Sequence, residues 1–597
     1  MGDSVFSQRV AALRAAMQAR NIDACIVLSS DPHLSEYLPE HWQARSWLSG
    51  FEGSAGTLVV TPAFAGLWTD SRYWEQAEHD LAGTGIQTVR AGAEGVPGVV
   101  DWLAGELSKG QQVSVDGQTL SVQSHRVWNA TLSAKGIRLV CGHDLVGEVW
   151  EARPALPNEP VYEHQPPFAC RSRADNLAAV RAAMQTHQAD WHWVSSLDDI
   201  AWIFNLRGND VSYNPVFLSH ALIGRDTVRL FVAPEKISSA LRAALKQDGV
   251  DVEPYEQAGA ALAGLPEGSV LLIDPARTTV AVLEAAAFAT RLEAVNPSHL
   301  LKSRKTDAEI AHVRRAMEQD GAALCDFFAW FEAAQGQETI TELTIDEKIT
   351  AARARRENFV SPSFSTIAAY NANGAMPHYH ATEQSHAQIQ GDGLLLIDSG
   401  GQYLGGTTDI TRVVPVGVPS DEQKRDYTAV LKGMIALSQA VFPRGTAAPL
   451  LDPIARLPIW QMGADYGHGT GHGVGYFLNV HEGPQSISYR TTINPNMGME
   501  AGMITSNEPG LYRPGKWGVR IENLVVNVPA ASTEFGEFLK FETLTLCPID
   551  TRCIQADLLS NSDRAWLNDY HAQVRARLLP WVRDEAKAWL LERTQAM

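Results

Sequence analysis

Cysteine is scarce, with six residues in 597. Cys25, Cys141, Cys170 and Cys325 are scattered, and Cys547 and Cys553 have no Cys or His nearby to complete a zinc site. That pattern excludes a disulfide framework and predicts reduced thiols in a cytoplasmic setting. Long apolar runs are missing, so no span of a bilayer is expected. The first twenty residues carry no apolar core of a secretory leader. Position 6 is Phe where a myristoylated Gly2 calls for Ser or Thr, so neither leader nor lipid anchor is expected. A basic surplus is also absent: formal charge is −19 at pH 7. Nucleic-acid backbones and anionic membranes are therefore disfavoured partners. No Gly-x-Ser-x-Gly elbow, convincing thiol nucleophile or low-complexity region is present.

The length predicts two to four domains, and an apolar fraction of 45% is that of a globular protein. Residues 8–20 read as a helix, with Val10, Leu13 and Met17 at helical spacing, followed by a strand over 24–28. This opening recurs. Ala-Ala-Leu-Arg-Ala-Ala-Met-Gln at 11–18 returns at 178–185 with only Leu13 replaced, by Val180. At the same offset Val27 meets Val194, Ser29 meets Ser196 and Asp31 meets Asp198. A duplicated α/β domain is predicted. Pro154, Pro157, Pro160, Pro166 and Pro167 mark a linker. Thr306-Asp307-Ala308-Glu309 is a capping box that opens a new helix. The expected domains are residues 1–156, 157–302 and 303–597, the last with a C-terminal extension from about 550. In that extension Trp566, Tyr570, Val574 and Leu578 form an apolar stripe. It is expected to cover either the third domain or a dimer partner.

Five side chains between 392 and 522 read as ligands for a pair of metal ions. Asp398 ends the apolar run Leu394-Leu395-Leu396-Ile397, a buried strand, and Asp409 follows eleven residues on. Glycine pairs at 400–401 and 405–406 predict a hairpin that sets the two carboxylates side by side. His472 lies in Gly-His-Gly-Thr-Gly-His-Gly-Val-Gly at 467–475, and Glu508 in Asn-Glu-Pro-Gly. Glu522 ends Gly518-Val519-Arg520-Ile521-Glu522, whose alternation predicts a strand presenting Arg520 and Glu522 on one face. Four carboxylates and one imidazole balance two divalent cations; hard oxygen ligands favour Mn²⁺, Mg²⁺ or Co²⁺ and one His leaves Zn²⁺ possible, with Mn²⁺ the leading expectation and Co²⁺ or Zn²⁺ its alternatives. Taken singly, each is as well explained as a turn former or a solvated charge. The glycine run lacks Gly-Lys-Ser/Thr, which argues against a phosphate loop.

In this order and spacing the five residues resemble the pita-bread metallopeptidases. The segment 467–475, with Asn479-Val480-His481-Glu482-Gly483-Pro484, is similar to the Xaa-Pro aminopeptidases (aminopeptidase P) in their long, three-domain form. The resemblance implies an α/β multidomain chain: two creatinase-like α/β domains, then a pita-bread (α+β) catalytic domain. It implies a dinuclear aminopeptidase that releases the first residue of peptides with proline second, by attack of a metal-bridged hydroxide. Glu508 would be the general base. His378 and His481 would hydrogen-bond the scissile peptide, His468 would line the proline site, and Arg520 with Tyr512 would support Asp398. A homodimer is implied as well. Asn523 departs from the pattern, many relatives having Asp there. Residues 47–56 and 68–73 also match the family, as a structural loop or as a surface reaching an active site, and 204–210 stays equally open. Rivals are a prolidase restricted to dipeptides, a pita-bread protein-binding module and a metal-independent creatinase-type hydrolase. His312 and His571 are expected to be filler.

Overall fold

The computed structural model describes residues 4–597; Met1, Gly2 and Asp3, and with them the myristoylation question, lie outside the described residues. Two compact units form: the chain up to Gln165 with Arg171–His299, and Pro166–Cys170 with Leu300–Met597.

The first unit holds two six-stranded sheets. In the first, β1 (Ala24–Leu28), β2 (Thr57–Val60), β3 (Ala65–Thr69), β4 (Gln87–Arg90), β5 (Gln112–Val115) and β6 (Arg138–Val140) lie in the order 4-3-2-1-5-6. The second repeats this with β7 (Trp191–Val194), β8 (His220–Gly224), β9 (Val228–Phe231), β10 (Val250–Glu253), β11 (Val270–Ile273) and β12 (Thr290–Glu293). Its order is 10-9-8-7-11-12, and each parallel or antiparallel pairing matches. The helices before β1 and β7 explain why the sequence repeats. Helix α1 (Val5–Ala19) buries Val10, Leu13 and Met17, and α2 (Arg173–Thr186) buries Leu177, Val180 and Met184 at the same three positions. Helix α1 starts three residues earlier than the spacing predicts, because Ser4 Oγ caps it by accepting from Ser7 N–H. The copies part after the strand. Ser196 opens helix Leu197–Phe204, whereas Asp31 heads a turn in which its carboxylate accepts from His33 and Ser35 N–H. In the stretch 204–210, Asp210 is buried against Lys236 and accepts from Leu218 N–H, a structural anchor.

In the second unit, Thr306 and Glu309 cap the 28-residue helix α3 (Asp307–Ala334) reciprocally. Strands β13 (Ile367–Tyr370), β14 (Gly393–Ser399) and β15 (Ile410–Val416) make an antiparallel sheet in that order. A six-stranded sheet runs β16 (Val441–Pro443), β22 (Gly536–Thr543), β21 (Asn523–Thr533), β19 (Ile504–Asn507), β17 (Gly471–Gly473) and β18 (Glu482–Ile487). A two-stranded ribbon of Gly510–Arg513 and β20 (Trp517–Arg520) lies between β19 and β21 in sequence. The extension forms helices α4 (Asn561–Leu578) and α5 (Asp584–Arg593). Leu567, Tyr570, Val574 and Leu578 are buried in the same core as β14 and β15, and Trp589 stacks on Phe328 of α3 at 5.4 Å. The stripe thus covers the unit it belongs to. All six cysteines are free thiols. Among the described residues, no helix is long and apolar enough to cross a membrane.

Candidate metal centre

Asp398 is the next-to-last residue of β14, all of which is buried, and stands opposite Thr411 of β15. Asp409 immediately precedes β15, so the hairpin brings the two carboxylates to one end of the sheet. The hairpin needs glycine at 400, where a Cβ would come within 2.0 Å of the Thr408 carbonyl oxygen. His472 is the middle residue of β17, wedged between β18 and β19. Gly471 permits this approach, since a Cβ there would meet Ser506 O at 2.0 Å. Glu508 follows β19 directly. Glu522 differs from expectation: it is not in a strand. It occupies a two-residue break where the chain leaves β20 for β21 and changes sheets. Its N–H donates to Thr411 O, and its carboxylate accepts from Thr411 Oγ at 2.8 Å.

The five side chains converge. His472 Nε2 lies 3.5 Å from Asp409 Oδ2 and 3.4 Å from Glu508 Oε1. One ligating atom each of Asp409, His472 and Glu522 fall within 4.8 Å of one another. His472 Nδ1 is 2.9 Å from Gly473 O. A carbonyl only accepts, so Nδ1 carries the hydrogen and the neutral ring turns the Nε2 lone pair toward two carboxylates. That arrangement is repulsive unless a cation or proton lies between them. Asp398 Oδ1 and Glu522 Oε1 are buried without a hydrogen-bond partner. Both oxygens are therefore open to a positive group. The residues fit a pair of divalent cations on charge, donor type and geometry.

The electrostatics agree. Burial, opposed by Arg520 and reinforced by Asp409, pushes the Asp398 carboxyl up to about 6. Burial raises Glu508 to about 7, with His472 and Arg520 pulling down and Asp409 and Asp398 pushing up. Burial and the other three carboxylates hold Glu522 well above its usual range. His472 is lowered by burial, but Asp409 and Glu508 outweigh that and raise it to about 9. Without cations these carboxyls keep protons to higher pH than in the unfolded chain. Their contribution to stability is full below about pH 4 and is lost as pH rises through the folded values. That of His472 is full below about pH 6.5 and is lost as pH rises through 9. Both act in one direction. Chelated protein is therefore expected to melt at progressively lower temperature from pH 5 to pH 8. The calorimetric gap to Mn²⁺-loaded protein should widen by several degrees, and a constant gap would contradict this account.

Around the cluster, Arg520 donates to Asp398 Oδ2 through Nη2 (2.7 Å) and Nε (3.2 Å), and to Tyr512 Oη through Nη1 at 2.7 Å. Tyr512 Oη meets His468 Nε2 at 2.8 Å, and His468 Nδ1 donates to Gly469 O. A relay His468–Tyr512–Arg520–Asp398 results. The His481 ring stands edge-on to His472 with centroids 4.4 Å apart. His378 is half-buried, just beyond the turn Asn371–Ala375 that packs on β20. Two supporting residues escaped the sequence reading. Thr411 accepts from Arg520 Nε at 3.1 Å while donating to Glu522. Ser506 Oγ donates to Glu508 Oε1 at 3.1 Å and accepts from His472 N–H. Alternation with Asp409 hinted at Thr411; nothing distinguished Ser506. Asn523 is buried with Oδ1 2.8 Å from Arg412 Nη2. His571 is buried and accepts from Ile549 N–H, a core histidine.

Residues 9–148 and 152–309 each match the creatinase/prolidase N-terminal domain. Residues 311–528 match metallopeptidase family M24, and 537–597 match the C-terminal region of that peptidase family. Xaa-Pro aminopeptidase 1 of Dictyostelium discoideum is 38% identical over 98% of this chain and 94% of its own length. Aminopeptidase P2 of Arabidopsis thaliana is 37% identical over 96% of this chain and 86% of its own. The crystal structure of X-prolyl aminopeptidase from Caenorhabditis elegans, described as a cytosolic enzyme with a di-nuclear active site, is also similar. It matches with a TM-score of 0.95 and 31% identity, over 99% of this chain and 100% of that one.

Proposed function

We propose that this chain, which belongs to metallopeptidase family M24, is a Xaa-Pro aminopeptidase releasing the first residue of peptides whose second residue is proline. Two creatinase-type α/β domains precede its pita-bread catalytic domain. One observation carries the reading: four carboxylates and an imidazole converge, with the His472 lone pair aimed between Asp409 and Glu508.

Asp398, Asp409, His472, Glu508 and Glu522 would hold two divalent cations. When bound, the pair would activate water and polarise the scissile carbonyl. Glu508 is the general base: Ser506 orients one of its oxygens, and its proton ends on the departing proline nitrogen. His481, edge-on to His472, and His378 donate to the peptide as charge develops on it. Tyr512 and Arg520 keep Asp398 ionised and aimed. His468 lines the side that receives proline, whose nitrogen has no N–H and asks for no acceptor.

The oxygen-rich ligand set supports Mn²⁺. Unpaired cysteines support a cytoplasmic setting. A homodimer is supported by exposed Leu450, Leu457, Trp460 and Tyr489, the two aromatic rings meeting edge-on at 6.0 Å. The division into 1–156, 157–302 and 303–597, with the extension from about 550, is part of the same proposal.

The test is hydrolysis of Arg-Pro-Pro by chelated protein, with and without Mn²⁺, beside Arg-Pro, on material sedimented to determine its assembly. Mn²⁺-dependent release of arginine from the tripeptide, by a dimer, is expected. Cleavage of the dipeptide alone would make it a prolidase. No cleavage of either with metal bound would leave a binding module.

A further inference from the structure

Arg412 lies three residues after Asp409, is 2% exposed, and its five N–H groups reach six acceptors. Nη1 donates to Thr411 O (3.0 Å) and Glu522 O (2.6 Å). Those are the main chains of the residue that orients a ligand and of the ligand itself. On the other side Nη2 donates to Asn523 Oδ1 (2.8 Å), Cys547 O (2.8 Å) and Tyr570 Oη (2.9 Å), and Nε to Pro548 O (3.1 Å). Each acceptor is a neutral oxygen. A buried guanidinium held this way depends on every acceptor staying in place, because no carboxylate among the six compensates a lost one.

Tyr570 belongs to α4 of the C-terminal extension and is itself fixed, its hydroxyl 2.9 Å from Cys547 O and 3.0 Å from Thr545 O. The chain over 544–550 is irregular, so its carbonyls are free of a sheet ladder and point at Arg412 and Tyr570. Glu522 lies in the strandless break between two sheets, where ladder hydrogen bonds do not define its position. Thr411, through its carbonyl and hydroxyl, and Arg412 Nη1 on the Glu522 carbonyl hold it instead.

We propose that Arg412 is a positioning residue for the cation pair, and that the C-terminal extension sets cation affinity through Tyr570 by fixing the Arg412 clamp on Thr411 and Glu522. This rests on the reading of the five side chains as cation ligands. It goes beyond that reading by giving the extension a role at the site, although Tyr570 touches neither ligand nor substrate.

Full-length chelated protein is titrated with Mn²⁺ by calorimetry, with Tm measured in parallel. Tyr570→Phe is expected to raise the Mn²⁺ Kd roughly 10-fold while retaining most of the Tm, and Arg412→Lys roughly 10- to 100-fold. Asn523→Asp on Tyr570→Phe, which gives the guanidinium a carboxylate, should recover most of the affinity. Leu578→Ala, which loosens the same helix without touching Arg412, should lower Tm and leave the Kd within about 2-fold. Equal Mn²⁺ affinity in Tyr570→Phe and wild type would overturn the clamp. So would a Kd that tracks Tm across all four variants. Wild-type protein that takes up no Mn²⁺ would sink the reading of the cation site, and the clamp with it.

Discussion

Alanine at Asp409 is expected to abolish Mn²⁺-dependent release of arginine from Arg-Pro-Pro, a fall of at least about 1,000-fold in kcat/KM. Asp409 Oδ2 lies 3.5 Å from His472 Nε2, and one ligating atom each of Asp409, His472 and Glu522 fall within 4.8 Å of one another. Removing it takes away a donor that the other residues cannot replace. The same substitution has a second, opposite signature. Asp409 is a repulsive neighbour of Asp398, Glu508 and Glu522, each of which it pushes toward protonation. The substitution also removes the attraction that raises His472, so chelated Asp409→Ala protein should melt within a few degrees of chelated wild type, while losing the rise in Tm that Mn²⁺ confers on wild type. Retention of a tenth of the activity would place the chemistry elsewhere. A collapse of the chelated variant's Tm would contradict the electrostatic account.

Glu482→Gln should be the most damaging conservative change for stability. Lys302 Nζ lies 3.1 Å from Glu482 Oε2 and Lys305 Nζ 2.6 Å from Oε1, all three side chains 1% exposed. Replacing the carboxylate leaves two ammonium groups in a buried place without their shared anion. Removing one partner of a buried pair typically costs about 3–5 kcal/mol, which in a unit of this size lowers Tm by roughly 6–15 °C. Lys305→Met should cost distinctly less, because Lys302 and Glu482 remain as a neutral pair. Glu482 also starts β18 and follows His481 directly. The folded fraction of Glu482→Gln should thus show reduced kcat with a smaller change in KM. A shift in Tm below about 2 °C, or a larger one for Lys305→Met, would show that the triad does not carry this load.

Local chemistry made much of this molecule legible. The capping box at Thr306, the buried run ending at Asp398 and the glycine hairpin to Asp409 are each stated by residues within a dozen positions. The duplication was legible because Leu177, Val180 and Met184 must fill the same helix–sheet contact as Val10, Leu13 and Met17. What stayed hidden is long-range. Thr411 meets Glu522 across 111 positions, and Arg412 meets Tyr570 across 158. Periodicity reports which face of an element is apolar, not which distant hydroxyl will turn toward it. The alternation of Val519 and Ile521 with polar residues predicts a strand through Glu522. Yet a change of sheets uses the same alternation and gives up the ladder there. The apolar stripe of the extension announced burial but could not name its cover, since a hydrophobic face carries no address.

Helix α5 has a consequence for the timing of folding. Trp589 stacks on Phe328, and Arg593 Nη2 reaches Glu332 at 2.8 Å, contacts that join positions 261 residues apart. Each creatinase-type sheet, by contrast, closes within its own stretch of chain, residues 24–140 and 191–293. During synthesis the two sheets can form while the rest of the chain is still being made. The catalytic unit must wait, its longest helix lacking a cover for Phe328 until α5 has left the ribosome. The hydrolytic centre is then among the last parts of the protein to mature, so a ribosome stalled near position 560 would present a folded amino-terminal half attached to an inert peptidase.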